Sequence, residues 1–562
     1  MGGVEMSAHL LSLITFLPLV GAVLLMAFPR GKAPGARGFA LFVSGAAFVA
    51  SLVLWQRFEP SSSALQFVER VPWIESIGAQ YLLGVDGISL FLVVLTTFLT
   101  PLVIVSSYSA IEDKVREYLI CILVLESAML GALVAQDLLL FYVFWEAMLI
   151  PMYFLIGVFG GKNKIEATIK FFLYTMAGSV LMLVAILWLY FKAGPVGAPR
   201  TFELAVLTKH TIGLAAQRWM FLAFALSFAI KVPMFPVHTW LPLAHVEAPT
   251  GGSVILAGVL LKMGTYGFLR FAMPLFPLAA REMLPWIGVI AVIGIVYGAL
   301  VSMVQKDIKK VVAYSSVSHL GFVMLGIAAM STAGVTGAVY QMLNHGISTG
   351  ALFLLVGVIY ERRHTREIDA FGGLAKVAPM YASVFLIITL SSIGLPGLNG
   401  FVGEFMILAG TFGSSALGSV RPFYGWGPAL VTVGALGVIF AAVYLLWPYQ
   451  RMFFGPVRHA ENLHVKDLNS REILMFAPFV VLVVVMGVMP RLFLTSIEPS
   501  VQKIVNDFNA AAPAVPMPGT APEPFRRQPA LLQRLQRLNQ ENQINPNGPK
   551  PADPGQPTLV PQ

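Results

Sequence analysis

The feature that most constrains the fold is a series of long apolar segments. Segments close to the roughly 20 residues that cross a bilayer recur along the chain, and about fourteen can be counted. Examples are residues 10–28, 88–107, 286–304 and 473–489. The 562 residues are 57% hydrophobic and only 12% charged, whereas soluble domains carry roughly a quarter charged residues. The sequence therefore excludes a water-soluble fold and predicts an all-α polytopic membrane protein with about fourteen transmembrane helices.

The basic residues report orientation in the membrane. The net charge is +9, but the lysines and arginines lie in connections between apolar segments. Clusters fall in alternate connections, among them Arg30, Lys32 and Arg37; Lys306, Lys309 and Lys310; and Arg362, Arg363 and Arg366. By the positive-inside rule these connections are cytoplasmic, which places both termini in the periplasm. The charge thus predicts no nucleic-acid partner.

Five regions follow from the segment pattern. They are an N-terminal group of three helices (1–117), a first five-helix repeat (118–275), a second five-helix repeat (283–450), a cytoplasmic loop with the last transmembrane helix (451–499), and a polar tail rich in Pro and Gln (500–562). The tail has a composition typical of disorder, apart from a short amphipathic helix at 530–539.

The two repeats are predicted from internal similarity. DLLLFYVFWEAMLIPMYFLIG from Asp137 resembles DIKKVVAYSSVSHLGFVMLGI from Asp307, an offset of about 170 residues. Each unit also contains an interrupted apolar segment, KVPMFPVHTWLPLAH from Lys231 and IGLPGLNGFVGEF from Ile393. Proline cannot continue a helix, so both segments should break within the membrane. Paired broken helices in two inverted repeats are the best sequence pointer to a transport site.

Ionisable residues within the apolar segments are few. Such residues usually face a bundle interior or an aqueous cavity, since exposure to lipid is costly. The charged candidates are Glu126, Glu146, Lys231, Lys262 and Glu404. Approach of a Glu to a buried Lys changes how firmly the Lys holds its proton, so such pairs can switch proton binding. The alternative is a set of static ion pairs that hold helices together.

Four histidines extend this inventory. They are His238 and His245 beside the first break, and His319 and His345 in later helices. Histidine titrates near neutral pH and can relay protons, although each could instead bond a buried carbonyl. Metal binding is disfavoured because no second histidine or carboxylate stands three or four residues from His319 or His345.

The sequence carries no motif for nucleotide or redox chemistry. It has no phosphate-binding glycine loop, dinucleotide fingerprint or nucleophile elbow. Cys121 is the only cysteine, which excludes disulfides and iron–sulfur clusters within the chain. Any redox centre must lie outside this chain.

These residues resemble the antiporter-like membrane subunits of respiratory complex I. The family hallmark is KxPxxPxHxWLPxAHxEAPTxxS, and the chain reads KVPMFPVHTWLPLAHVEAPTGGS from Lys231. The similarity continues through VILAGVLLKMGTYG and AYSSVSHLGFVMLG and, with FWEAMLIPMY, spans residues 100 to 410 or so. Within the family the second broken helix usually carries Lys, but one branch carries Glu, as Glu404 does here.

The resemblance implies roles for these side chains. Glu146 and Lys231 would form the ion pair of a first half-channel, Lys262 would be the central proton carrier, and Glu404 the exit-side carrier. His319 and His345 match polar positions on the family's central axis. Glu126 matches no family role, and the tail departs from the usual pattern.

The resemblance also implies partners. The subunit would lie in a bacterial inner membrane beside other complex I membrane subunits, including two further antiporter-like ones. NADH, FMN, iron–sulfur clusters and quinone would belong to partner subunits, with no cofactor in this chain. It would be a non-redox subunit of a proton-translocating NADH:quinone oxidoreductase. The competing readings are a subunit of an Mrp-type Na+/H+ antiporter, a subunit of a hydrogenase-type membrane complex, and an inert scaffold.

Overall fold

The computed structural model describes residues 9–29, 33–193, 199–418 and 425–513. Arg30 and Lys32, used above for topology, and the predicted helix at 530–539 lie outside these residues. The longer helices are α1 (Leu10–Met26), α2 (Ala33–Arg57), α3 (Leu90–Ala110), α4 (Val115–Val134), α5 (Leu138–Phe159), α6 (Lys164–Lys192), α7 (Leu214–Lys231), α8 (Trp240–Glu247), α9 (Thr250–Leu275), α10 (Pro277–Met303), α11 (Ile308–Ala329), α12 (Thr332–Arg363), α13 (Pro379–Ser392), α14 (Asn399–Phe412), α15 (Gly427–Phe453), α16 (Ser470–Val488) and α17 (Arg491–Ala511). Short helical turns and one hairpin, formed by β1 (Gln66–Ile74) and β2 (Ala79–Val85), complete the described chain.

The predicted all-α polytopic membrane fold is confirmed. Within the described residues, 12 helices are long and apolar enough to cross a membrane, and α1 and α13 are shorter apolar helices. Helices dominate because a chain in lipid must satisfy its backbone hydrogen bonds internally. The count of about fourteen spans stays a prediction.

Helices α9 and α12 form the centre of the molecule. Both are enclosed by protein along their apolar windows, whereas α2, α15 and α16 leave most of theirs uncovered. Helix α9 also contains two π-helical turns, Leu256–Leu260 and Phe268–Ala272. Turns of this kind occur frequently at functional sites because they displace side chains and carbonyls from regular helical positions.

Corresponding ends of the two predicted repeats have matching local structure. Asp137 accepts hydrogen bonds from the backbone of Leu139 and Leu140 and begins α5, and Asp307 does the same with Lys309 and Lys310 at α11. Each aspartate also forms an isolated antiparallel bridge, with Glu203 and Glu367 respectively. This likeness supports the repeat, which stays a prediction.

Both predicted helix breaks are present. Helix α7 ends at Lys231 and α8 begins at Trp240, whose indole nitrogen donates to the Ile230 carbonyl at 2.9 Å. Helix α13 ends at Ser392 and α14 begins at Asn399. Gly394 has a φ of 75°, so the turn needs glycine for its backbone conformation, and a Cβ there would lie 2.9 Å from Glu404 Oε2.

Two features differ from the sequence prediction. The β1–β2 hairpin is additional, and its Glu69 carboxylate caps α1 by accepting from the backbone nitrogens of Leu11 and Ser12 at 2.8 and 3.1 Å. The predicted disorder from Ser500 is wrong for the residues up to Ala511, because α17 continues through them. Apolar residues such as Ile497, Val501 and Val505 recur at helical spacing and are buried, which stabilises this segment.

Candidate functional site

A row of buried polar side chains runs from the middle of α9 to α14. Lys262 is fully buried, and His345, His319 and Glu404 are each at most 4% exposed. They come from α9, α12, α11 and α14, in that order. Four sequence-predicted residues from separate helices are therefore brought together in the protein interior.

The first contact of the row joins Lys262 to His345. Lys262 Nζ lies 2.6 Å from His345 Nδ1 and also donates to the Ala257 carbonyl. Ala257 lies within the first π-helical turn of α9. Protonation would make both side chains positive, and like charges this close oppose each other. The pair therefore favours a single shared proton over two.

The far end of the row centres on His319. Its Nδ1 lies 3.1 Å from Glu404 Oε1, and its Nε2 lies 3.1 Å from the Tyr444 hydroxyl. Both ring nitrogens are therefore engaged. The carboxylate and the phenol together fix the ring orientation, and the carboxylate stabilises a positive charge on His319.

The two histidines are linked across a small gap. Their ring centroids lie 5.9 Å apart, too far for a direct hydrogen bond, and His345 Nε2 has no partner among the described residues. A cavity of about 10 Å³ opens here, the size of about one water molecule. It is lined by His319, Gln341, Asn344, His345, Ser348, Thr349, Ser391, Ser392 and Gly400.

Sequence reasoning missed the neutral polar residues around this gap. Gln341 donates to Glu404 at 3.1 Å, and Asn344 donates to Gln341 Oε1 at 2.9 Å and to the Asn399 carbonyl at 2.8 Å. They carry no charge, so an inventory of ionisable residues omits them. A usable signal was the spacing of Gln341, Asn344, His345 and Ser348, which puts all four on one face of α12.

The first break holds Lys231 without a direct partner. Lys231 is 2% exposed, and its Nζ makes no hydrogen bond to any described residue. It lies 5.1 Å from the centroid of the Trp145 ring, a cation–π contact. Glu146 acts on Lys231 through its charge, but the carboxylate does not touch the ammonium. In this state the implied partners Glu146 and Lys231 interact through their charges, without a direct contact.

The two histidines of the first break are also short of partners. His238 Nδ1 and both ring nitrogens of His245 have no hydrogen-bond partner among the described residues. The His245 ring stacks on Phe353 with centroids 4.6 Å apart. The charges of both Lys309 and Lys262 act on His245. His245 is therefore under the influence of two buried lysines, while no hydrogen bond among the described residues joins it to either.

Lys309 is a buried residue that the sequence reasoning counted only as a topology marker. It is 6% exposed, and its Nζ donates to the carbonyls of Ala248 and Val246 at 2.7 and 3.3 Å. Arg366 donates to the same Val246 carbonyl at 2.8 Å. These carbonyls lie at the C-terminal end of α8, where cations are favourable. Its place within a basic cluster hid this burial.

Glu126 lies apart from the row. It is fully buried in α4, and neither carboxylate oxygen has a hydrogen-bond partner among the described residues. The predicted set therefore divides into a connected row, a first-break group and this isolated carboxyl.

A buried ion pair at the end of α9 has a structural position. Arg270 donates to Asp86 at 2.5 Å and to the Tyr266 hydroxyl at 3.1 Å, and Tyr266 donates to the Leu133 carbonyl at 2.8 Å. Burial alone would raise the pKa of Asp86, but the charge and hydrogen bond of Arg270 outweigh burial and lower it. This pair ties α9 to the segment before α3 and to the end of α4.

The described residues contain no group of three His, Cys, Asp or Glu side chains arranged to hold a metal ion. The histidines of the row instead have a lysine, a carboxylate and a phenol as neighbours. This donor set suits proton exchange, because each member can gain or lose a proton.

Comparisons with known proteins agree with the fold and the site. Residues 135–420 match the family model of the NADH:quinone oxidoreductase/Mrp antiporter membrane region, and residues 40–132 match the amino-terminal model of NADH-ubiquinone oxidoreductase chain 4. NADH-quinone oxidoreductase subunit M of Rhodobacter capsulatus is 47% identical over 513 residues, covering 89% of this chain and 97% of the relative. Chain 4 of Arabidopsis thaliana is 43% identical over 497 residues, covering 88% and 97%.

Solved structures show the same arrangement. A chain of respiratory complex I from Thermus thermophilus superposes with a TM-score of 0.79 at 33% identity, covering 89% of this chain and 99% of that one. A chain of the Mrp complex from Dietzia superposes with a TM-score of 0.75 at 20% identity, covering 89% and 98%, a likeness of fold alone.

The fold and the buried row define an antiporter-like, proton-translocating membrane subunit. The chain belongs to the family of NADH:quinone oxidoreductase subunit M, called chain 4 in plants. The Mrp reading is the weaker one.

Proposed function

We propose that the row from Lys262 to Glu404 is the proton path of this subunit, coupled to NADH oxidation and quinone reduction in partner subunits. The observation that carries this proposal is the sequence of contacts Lys262–His345, one water-sized gap, and His319–Glu404. In a protein interior, a proton moves along groups that are within hydrogen-bond reach directly or through one water.

Each residue has a step in this path. Lys262 holds the central proton and passes it to His345 Nδ1. The Tyr444 hydroxyl turns away from His319 Nε2, and His345 Nε2 then delivers a proton to that nitrogen through a water in the gap. Glu404 stabilises the resulting imidazolium and accepts the proton on the exit side. Gln341 and Tyr444 position Glu404 and His319.

The first-break residues would control loading of Lys262. Lys231 has no hydrogen-bond partner in the described state, and Glu146 is close enough to act on it by charge. Movement of Glu146 toward Lys231 stabilises the ammonium, and movement away releases its proton. His238 and His245 lie on this side of Lys262 and serve as relay groups.

The relatives support a proposed setting for the subunit. The proposed location is the inner membrane of a bacterium, with about fourteen transmembrane helices, two inverted repeats and both termini in the periplasm. Two further antiporter-like subunits are the proposed neighbours, and FMN, iron–sulfur clusters and quinone are assigned to partner subunits. An Mrp-type antiporter subunit is the second candidate, favoured only by the shared fold.

The proposal is tested with Lys262→Met in the intact complex. Methionine keeps the length of the side chain and removes the proton-binding nitrogen. NADH:quinone turnover and proton pumping in membrane vesicles should fall together, while NADH oxidation by an artificial acceptor persists. Lys310→Met, at an exposed lysine, is the matched control and should leave both activities unchanged. Full pumping in Lys262→Met would reject the path.

A further inference from the structure

Glu126 is a buried acid that the proton row does not use. It is 0% exposed, and both of its carboxylate oxygens lack a hydrogen-bond partner among the described residues. The hydroxyl of the next residue, Ser127, is also unpartnered. The Thr100 hydroxyl lies near the carboxyl, but it donates to the Thr96 carbonyl at 3.0 Å.

An ionised carboxylate is unfavourable in these surroundings. A buried charge without a counter-ion or hydrogen bonds loses its hydration without compensation, and such a group is neutral instead. No Lys, Arg or His is in salt-bridge contact with Glu126 in the described chain. In this state the group therefore holds a proton.

The depth of Glu126 can be fixed from two contacts between α4 and α9. The Tyr118 hydroxyl lies against Gly251 and leaves no room for a Cβ there. The Tyr266 hydroxyl donates to the Leu133 carbonyl at 2.8 Å, and these two residues are 133 positions apart in the sequence. Tyr118 and Gly251 are separated by the same number of positions. The two helices thus run parallel in one register.

This register places Glu126 at the level of Val259, which precedes Lys262 by three residues, about 4.5 Å along the axis. Helix α3 packs against both α4 and α9. Leu99 fills the space that a Cβ at Gly258 would occupy, and the next residue, Thr100, faces Glu126. A proton-bearing acid therefore lies close to the depth of the central lysine, and α3 packs against the helices that carry both groups.

We propose that Glu126 is a second proton-binding site that serves Lys262 from the α3–α4 side. After Lys262 has passed its proton to His345, the O–H bond of Glu126 breaks and an N–H bond forms on the neutral amine, relayed by the Thr100 hydroxyl and a short chain of waters. This leaves a carboxylate and an ammonium. The carboxylate later takes a proton from solvent, which restores the neutral acid. This inference rests on the proposed function.

The test is infrared difference spectroscopy on the intact complex, comparing the resting and the turning-over states. A protonated carboxylic acid has a carbonyl band distinct from that of a carboxylate. The difference spectrum should contain such a band, which shifts in D2O, disappears in Glu126→Gln and persists in the control Ser127→Ala. Proton pumping per NADH should fall severalfold in Glu126→Gln and be partly retained in Glu126→Asp.

Two results would overturn the proposal. One is full pumping in Glu126→Gln with an unchanged difference spectrum, which would make Glu126 a packing residue. The other is an unshifted carbonyl band in Glu126→Asp, because such a band shows that the acid is not Glu126. This second variant provides the test if Glu126→Gln fails to assemble. Lys262→Met separates the Glu126 site from the proposed proton path. If Lys262→Met loses pumping while Glu126→Gln pumps normally, only the Glu126 site is rejected. If Lys262→Met pumps fully, the proposed function itself is rejected.

Discussion

Lys262 and His345 share a short contact of 2.6 Å between Nζ and Nδ1 in the enclosed centre of the protein. The lysine comes from α9 beside a π-helical turn, and the histidine comes from the middle of α12. Because the contact joins two basic groups, the number of protons that this pair holds should control proton transfer along the row.

Replacement of His345 should interrupt the row at its midpoint. His345→Leu leaves Lys262 with only the Ala257 carbonyl as a partner, so proton transfer toward His319 stops. Proton pumping and NADH:quinone turnover should drop by about 10²-fold, the lower end of the effect of losing a proton-transfer group. His464→Leu, at an exposed histidine, should leave both activities intact. Normal pumping in His345→Leu would place the path elsewhere.

Lys231 should be required for loading. Lys231→Ala removes the buried ammonium beside Trp145 and Glu146, and coupled turnover in vesicles should fall sharply. Lys231→Arg retains the charge and should retain part of the activity. The exposed Lys162→Ala is the control. Equal pumping by Lys231→Ala and by the control would reduce the first-break group to a structural role.

Gln341 should tune Glu404 without being essential. Gln341→Leu removes the hydrogen bond to the Glu404 side chain, worth about 1.5–3 kcal/mol if the carboxyl is charged, and so leaves Glu404 less firmly positioned. Pumping should slow while assembly is retained. The exposed Gln450→Leu is the comparison. A complete loss of pumping would instead make Gln341 a necessary member of the path.

The Asp86–Arg270 pair predicts a pH dependence of stability. The folded-state pKa of Asp86 is lowered from its ordinary value of 3.8, so the pair stabilises the fold above that value and loses its contribution as the pH falls through the lower, folded-state pKa. Asp86→Asn leaves Arg270 buried without its counter-charge, at a cost of about 3–5 kcal/mol.

Thermal unfolding of the purified complex measures this effect. Asp86→Asn should unfold at a lower temperature near neutral pH, and its difference from the wild type should shrink in acid. Asp113→Asn, in an exposed connection, should match the wild type throughout. A difference that stays constant down to strongly acidic pH would show that Asp86 acts through packing alone.

Much of the fold was predictable because lipid imposes strong rules. Apolar length predicted the helices, and the prolines after Lys231 and around Gly394 predicted the breaks. The β1–β2 hairpin was not predictable from local sequence, because Glu69 connects it to α1 through hydrogen bonds between residues far apart in the chain. Helix α17 was missed because its polar composition resembles a tail, although the spacing of Phe493, Ile497 and Val501 was visible.

The site was predictable to the extent that it is charged. A Lys or Glu in an apolar helix stands out, so Lys262 and Glu404 were identified. The neutral Gln341 and the phenol of Tyr444 depend on which helices pack together, and that packing is not encoded in a local pattern. The lack of direct contact between Glu146 and Lys231 also needs coordinates, because a sequence names partners but not distances.

The central claim is that Lys262 and Glu404 act on one path, and a double-mutant comparison of proton pumping in vesicles tests it most directly. Lys262→Arg and Glu404→Gln are measured singly and together in the intact complex. The effects of mutating residues that act as a unit are strongly non-additive. The double variant should therefore pump no worse than whichever single variant pumps less. Losses that multiply would show that the two residues act independently and would contradict a single row.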